Sequence, residues 1–298
     1  MSKVLITGGT GMIGLKLSEK LLQKGFQVIH LSRTENKTAR FPRYAWDVDT
    51  GTMDEKALEG IETIVHLAGA AINQRWTEKN KKEIIDSRVA SAKLLYQTAQ
   101  KTGNKLKRFV SMSAIGYYGS DTGDELISES HQPGDDFLAE VVTKWEAAAD
   151  QFQSICPVTK LRTGVVLASE GGALPTIAKP IRFGIGSPIG SGKQWTSWIH
   201  IDDVIDSFCM AIEGKLKGTY NLVAPHPVTN AELSQGIADI LDKPFFFPNV
   251  PSFVLKILFG KMAAIILGGN KVSNEQLTSA GYTFTYPDLK PALKDLLT

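Results

Sequence analysis

The sequence predicts an α/β chain built on a doubly wound parallel sheet with a smaller C-terminal lobe. Three observations carry that reading. The chain opens on an apolar run, Val4-Leu5-Ile6, followed by a glycine-rich turn, Thr7-Gly8-Gly9-Thr10-Gly11-Met12-Ile13-Gly14. An amphipathic stretch to about Lys24 and a second apolar run, Phe26 to Leu31, complete a strand–turn–helix–strand order. Short apolar runs then alternate with helical patterns along the chain, which favours a parallel sheet covered on both faces.

The opening unit has the form of a dinucleotide-binding βαβ motif. Glycines let the backbone approach a pyrophosphate, and the helix start offers unpaired N–H groups to it. Gly8, Thr10, Gly11, Met12, Ile13 and Gly14 are the candidate contacts. A glycine turn in some other α/β protein is the bland alternative. Strand two ends at Ser32-Arg33, where an acidic residue would accept from a ribose hydroxyl. A hydroxyl and a cation instead suit a ribose 2′-phosphate, which favours NADP (NADPH) over NAD, although Arg33 as a mere surface charge stays open. Lys37 and Arg40 add positive charge nearby.

The polar segment after Arg33 leaves little room for a helix. Tyr44 to Trp46 reads as a third strand ending at Asp47, a carboxylate suited equally to an adenine amino group or to capping the next segment of chain. A fourth strand, Ile61 to Leu67, leads into Ala68-Gly69-Ala70-Ala71, small residues that let a cofactor lie against the backbone. Residues 80–101 are helical in pattern. Phe109 to Ser113 is a fifth strand; Ser111, Ser113 and the loop Ala114 to Gly119 lie at its C-terminal end, the edge at which open α/β sheets bind ligands. Residues 120–136 form an acidic surface excursion. Phe137 to Phe152 reads as a helix and Val158 to Leu167 as a sixth strand. Arg162 inside that apolar run is expected to be paired or near its end.

Beyond Ser169 the chain is rich in glycine and proline, suited to loops that enclose a substrate. Trp195, Trp198 and His200 crowd before Asp202-Asp203. The tryptophans either line a pocket or fill the join between lobes, and His200 either touches substrate or serves as a structural hydrogen-bonding residue. Asp202 is the expected cap of a helix over 203–213. Thr219 to Val223 is a late strand, Thr229 with Glu232 forms a capping box for a helix to Leu241, and helical patterns recur over 253–267, 274–280 and 289–297. The division is therefore residues 1–168 as an NADP-binding core and 169–298 as a mainly substrate-side lobe with returning core elements and a helical segment from about 249.

Composition removes other classes. The 298 residues carry 33 basic and 31 acidic side chains, a net charge of +2, with no like-charged arm, so nucleic acid is not an expected partner. Cys156 and Cys209 form neither a metal cluster nor a disulfide framework, and both sit among apolar neighbours. The five histidines are dispersed, and no metal is expected. No signal peptide or membrane span is read, giving an expected cytoplasmic location; the expected partner is an unidentified small-molecule substrate, and the apolar stretch 253–267 packs either on its own domain or on a second subunit, a possible homodimer.

The glycine motif, His66-Leu67-Ala68-Gly69, Leu161-Arg162-Thr163-Gly164-Val165-Val166-Leu167 and Trp198-Ile199-His200-Ile201-Asp202-Asp203 resemble the extended short-chain dehydrogenase/reductase family. Ser113 to Gly119, Lys144 to Ala148, Pro188 to Gly192, Gly268 to Val272 and Gly281 to Phe284 resemble its atypical, epimerase-like branch. The resemblance covers essentially the whole chain. It implies an NADP-dependent oxidoreductase or nucleoside-diphosphate-sugar epimerase-like activity, with Leu67, Ala68, Gly69, Ser111 and Arg162 among the cofactor contacts. It also implies a Ser that hydrogen-bonds a substrate oxygen, a Tyr that transfers a proton, and a Lys four residues later that lowers the Tyr pKa. Ser113 matches the Ser. Aligned on Glu146, however, the helix carries Leu138 and Val142 where Tyr and Lys belong. Tyr117 and Tyr118 are the available phenols, for proton transfer or for packing. A non-catalytic NADPH-binding regulatory or redox-sensing protein is the alternative, and retention of the fold as a bare scaffold a third.

Overall fold

A computed structural model describes residues 2–298. Strands β1 (Lys3–Thr7), β2 (Gln27–Ser32), β3 (Arg43–Asp47), β4 (Thr52–Met53), β5 (Ile61–His66), β6 (Arg108–Ala114), β7 (Leu126–Ile127), β8 (Val158–Thr163), β9 (Val165–Leu167), β10 (Trp195–Thr196), β11 (Trp198–His200), β12 (Gly218–Leu222), β13 (Val228–Thr229) and β14 (Lys271–Val272) alternate with ten α-helices. These are α1 (Met12–Gln23), α2 (Glu78–Thr102), α3 (Phe137–Asp150), α4 (Leu174–Arg182), α5 (Ile201–Ile212), α6 (Asn230–Leu241), α7 (Ser252–Phe259), α8 (Ala263–Leu267), α9 (Glu275–Ser279) and α10 (Leu289–Leu297).

Eight strands form the central sheet in the order β12-β8-β6-β5-β1-β2-β3-β4, parallel except for the β4 edge. The chain runs outward from β1 through β2 and β3, then returns to the other side of β1 for β5, β6, β8 and β12. The direction of winding therefore reverses between β1 and β5, and a crevice opens at their carboxyl ends. Alternation along β1 feeds two cores. Val4 and Ile6 join Leu17 and Leu21 of α1 and Val204, Ile205 and Phe208 of α5 on one face. Leu5 joins Ile29, Leu95 of α2 and Ala149 of α3 on the other. Both cysteines are buried and free, and burial pushes their thiols up, Cys156 to about 11 and Cys209 to about 12.

Several boundaries differ from the sequence-based expectation. The run 158–167 breaks at Gly164: β8 stays in the sheet, while β9 leaves it and pairs with β11. A Cβ at Gly164 would lie 2.2 Å from the Ser197 carbonyl oxygen, so the chain can cross there only as glycine. The apolar run 253–267 is divided at Gly260 (φ +59°) into α7 and α8, separated by a 3-10 turn. Asp202 does not cap α5. His200 is the N-cap, its Nδ1 accepting from the Asp202 amide at 3.1 Å. The capping box of α6 is present as expected from Thr229 and Glu232.

The C-terminal segments tie back to the core. Strand β14 pairs with β7, and Asn270 Nδ2 donates to the Gly119 carbonyl at 2.8 Å, clamping the loop that follows β6. Buried Asp203 accepts from the Tyr282 hydroxyl and from the Thr285 and Tyr286 amides at 2.8–3.0 Å, which holds residues 282–286 without regular structure. Among the described residues, no helix is long and apolar enough to cross a membrane.

Candidate dinucleotide and reaction site

The turn between β1 and α1 occupies the crevice. Gly8 is left-handed (φ +67°), and the Gly11 amide closes the turn on the Gly8 carbonyl at 3.0 Å. A Cβ on Gly14 would sit 2.4 Å from that same carbonyl, so only glycine lets α1 start so close to the turn. No side chain caps α1 and no acidic residue lies in its first turn, which leaves its leading N–H groups and positive dipole end for an anion.

Two buried side chains brace this turn. Thr7 Oγ1 accepts from the Leu67 and Ala68 amides, both at 3.1 Å, fastening the end of β5 to β1. The ring of His30 lies beneath Gly9, where a Cβ would fall 2.4 Å from it. Ser18 Oγ donates to the Gly14 carbonyl at 2.6 Å, so His30 Nε2–H donates to Ser18 at 2.8 Å. Burial pushes the His30 pKa down to about 4, which keeps the ring neutral. Sequence reasoning missed this support; a histidine inside the apolar run 26–31 was the available signal for it.

At the end of β2, Arg33 is exposed and makes no ion pair among the described residues, whereas Lys37 pairs with Glu35 at 2.7 Å and Arg40 with Glu19 at 2.6 Å. Ser32 Oγ accepts from the Thr34 amide at 3.4 Å. Asp47 Oδ1 accepts from the Asp49 and Thr50 amides, at 2.9 and 3.3 Å, so this carboxylate closes the turn after β3. Those bonds, with that from Thr50 foremost, hold its pKa below the usual carboxylate range. Met12 lies under the loop at Gly171, where a Cβ would come within 3.0 Å of its sulfur. Ser111 is buried in β6, and its hydroxyl donates to the Met112 carbonyl at 2.8 Å.

The end of β6 is organised by a buried ion pair. Arg162 donates from Nε to Glu146 Oε1 at 2.8 Å and from Nη2 to Oε2 at 2.9 Å, while Ser113 Oγ donates to Oε1 at 2.6 Å. Arg162 Nη1 reaches the Tyr118 hydroxyl at 3.0 Å, which donates onward to Asn221 Oδ1 at 2.7 Å. Burial alone would raise the Glu146 carboxyl; the Arg162 pair and the Ser113 bond outweigh it, and the pKa lies below its usual value. Burial raises that of Tyr118 despite the nearby guanidinium.

For four residues these contacts favour the structural alternative over the functional one. Arg162 is buried and commits an N–H of each nitrogen to Glu146 or Tyr118, which turns it to the ion pair and away from the role of cofactor contact. Tyr118 is a buried link in the network rather than a phenol open to substrate. Trp198 is fully buried in the core, its indole N–H on the His226 carbonyl at 3.0 Å. His200 is buried as a helix cap and stacks on Tyr286 at 3.8 Å. It also comes near Asp202 and Asp295, the one such grouping found among the described residues, with Nδ1 already committed to the cap.

Tyr117 and Trp195 remain at the rim. The Tyr117 ring lies over the Arg162 guanidinium, 3.4 Å from its centroid, and its hydroxyl has no partner among the described residues. Trp195 is half-buried, donates to Asp124 at 2.7 Å and lies under the Lys271 ammonium. Opposite, Leu138 and Val142 of α3 approach Gly116, within 3.5 and 3.8 Å of where its Cβ would be. That face of α3 brings neither a phenol nor a charge to the loop.

With this geometry in place, the comparisons are direct. A model of the NAD dependent epimerase/dehydratase family matches residues 4–222. The chain belongs to that family. Residues 250–296 match a further domain of unknown function, DUF1731. An epimerase family protein of Staphylococcus saprophyticus is 34% identical over 299 residues, covering 100% of both chains. One of Bacillus subtilis is 32% identical, over 99% of this chain and 97% of its own. The crystal structure of a human epimerase family protein with NADPH superposes with a TM-score of 0.88 at 35% identity, over 99% of this chain and 98% of that one. UDP-glucuronic acid 4-epimerase from Bacillus cereus, solved with UDP-glucuronic acid and NAD, shares the fold (TM-score 0.80) at 18% identity. The human relative was thus solved with NADPH and the Bacillus cereus fold neighbour with NAD.

Proposed function

We propose that this chain binds NADPH and exchanges hydride with a small carbonyl or alcohol ligand, as an oxidoreductase or epimerase-like member of its family with an altered acid/base group. The observation that carries the cofactor preference is Arg33: an exposed guanidinium without an ion-pair partner among the described residues, at the end of β2 where a carboxylate would repel a 2′-phosphate. The human relative with NADPH supports the same reading. The uncapped start of α1 and the Gly8–Gly14 turn fit the pyrophosphate, and Ala68 and Gly69 fit the path toward Ser113.

A nicotinamide held at this end of the crevice would supply or accept the hydride. Ser113 donates its one hydroxyl hydrogen bond to Glu146, so toward a ligand its oxygen could only accept, which suits a hydroxyl rather than a carbonyl. Tyr117 is the phenol left for proton transfer. The test is direct titration with NADPH and NADH, with Arg33→Glu alongside. Tighter binding of NADPH by about tenfold or more is expected, with the preference lost in the variant, since a charged hydrogen bond is worth about 1.5–3 kcal/mol. Equal affinities in the wild type refute the NADP assignment.

The apolar pair Leu138 and Val142 also favours a second reading, a non-catalytic NADPH-binding regulatory or redox-sensing module. Oxidation of bound NADPH by some member of a broad carbonyl and sugar-nucleotide panel selects the enzyme. No turnover, together with partner affinity that changes with NADPH, selects the module.

A further inference from the structure

Arg88 is a half-buried cation that pairs with no carboxylate among the described residues. It lies near the middle of α2 and points under the turn after β5. Its Nη1 donates to the Ala70 carbonyl at 3.0 Å and to the Ile84 carbonyl at 2.9 Å. Its guanidinium carbon is 5.0 Å from the Trp145 ring centroid and would be 2.9 Å from a Cβ on Gly69. Nε is buried without a partner, Nη2 makes no hydrogen bond to a described residue, and no described carboxylate pairs with it. Burial pushes its pKa down to about 10, so the charge is kept at a cost.

Apart from the two carbonyls on Nη1, no described side chain beside Arg88 is free to pair with it. Trp145 follows Val142 by three residues and so shares its side of α3. Glu146 is taken by Arg162, and Lys144 pairs with Glu140 at the surface. A ligand supplying acceptor oxygens would complete the set. The sheet order places β5 between β1 and β6. A dinucleotide that runs from the glycine turn after β1 to Ser113 at the end of β6 therefore crosses the β5 turn with the sugar that joins its pyrophosphate to nicotinamide.

We propose that Arg88 recognises the hydroxyl oxygens of that nicotinamide-side sugar and is the cation of the reaction end of the crevice. The proposal rests on the dinucleotide reading above. Its test compares NADPH with adenosine 2′,5′-bisphosphate, which keeps the phosphate-bearing adenosine and lacks the nicotinamide half. Titration of purified Arg88→Gln is expected to show NADPH weakened about tenfold, with the bisphosphate held within about twofold of wild type. Arg88→Lys keeps a charge but not the planar fork, and is expected to fall between the two; it also decides the matter if the glutamine variant does not fold. Unchanged NADPH affinity in the lysine and any folded glutamine variant overturns the assignment. So does an equal loss for both ligands, which marks Arg88 as a brace for the loop alone. Failure of the wild type to bind NADPH while binding the bisphosphate also overturns it, and failure to bind either removes the dinucleotide reading itself.

Discussion

Removing Glu146 tests the ion pair on which the reaction end is built. Glu146→Ala deletes three acceptor contacts, to Ser113 at 2.6 Å and to Arg162 at 2.8 and 2.9 Å. It leaves the Arg162 guanidinium, 4% exposed, without its counter-ion. Lys160, 3.6 Å from the same carboxylate, keeps its bond to Asp150 and does not move the balance. A single broken partner of a buried pair costs about 3–5 kcal/mol, more than replacing both partners by apolar groups of similar size. Glu146→Ala is therefore expected to lose about 4 kcal/mol of folding free energy, read as a lower urea midpoint at neutral pH. The double variant Glu146→Leu/Arg162→Met is expected to be more stable than Glu146→Ala. The pair also has a pH signature. The Glu146 pKa is depressed in the fold, so its contribution is present above the unfolded value of about 4.3 and is lost only as pH falls through the lower folded value. A loss below about 1 kcal/mol for Glu146→Ala, or a double variant less stable than the single one, refutes the reasoning.

Three further outcomes rest on the same geometry. Thr7→Val keeps the shape but strands the Leu67 and Ala68 amides, and is expected to cost about 2–4 kcal/mol in denaturant unfolding; a neutral result removes Thr7 as the clasp between β1 and β5. Gly14→Ala places a Cβ against the Gly8 carbonyl, so the turn must open; NADPH affinity is expected to fall more than about tenfold, and unchanged titration would show that the turn yields freely. Burial lowers the pKa of His30 to about 4 and that of His66 to about 3, below an unfolded value near 6.5. Their stabilisation is complete above about pH 6.5 and is lost as pH falls toward those values, about 2 kcal/mol for each histidine by pH 5. Equal urea midpoints at pH 7.5 and 5 would contradict it.

His66 illustrates how far a motif can be read alone. Its place in His66-Leu67-Ala68-Gly69 marks the end of β5, and the structure supplies the rest. Trp145 Nε1 donates to His66 Nδ1 at 3.3 Å, so Nε2 carries the proton toward Ser91 at 2.7 Å. The histidine thus joins β5, α2 and α3 beneath the site. Two residues far along the chain, Ser91 and Trp145, set its tautomer, and nothing local to residue 66 encodes it.

The sequence by itself determined the doubly wound sheet, the glycine turn at 8–14, and the polar end of β2 at Ser32-Arg33. These are local properties: periodicity 2 or 3.6, a glycine where a side chain would collide, a charge at a strand end. The tertiary structure alone decided that Arg162 faces Glu146, that Ser113 donates its hydrogen bond to the same carboxylate, that Trp198 and His200 are interior, and that Arg88 has no carboxylate partner among the described residues. Each of these depends on which partner a polar group finds. In a buried, low-dielectric interior the cost of leaving such a group unpaired settles its role, and the partner is chosen by the fold across dozens of residues of chain.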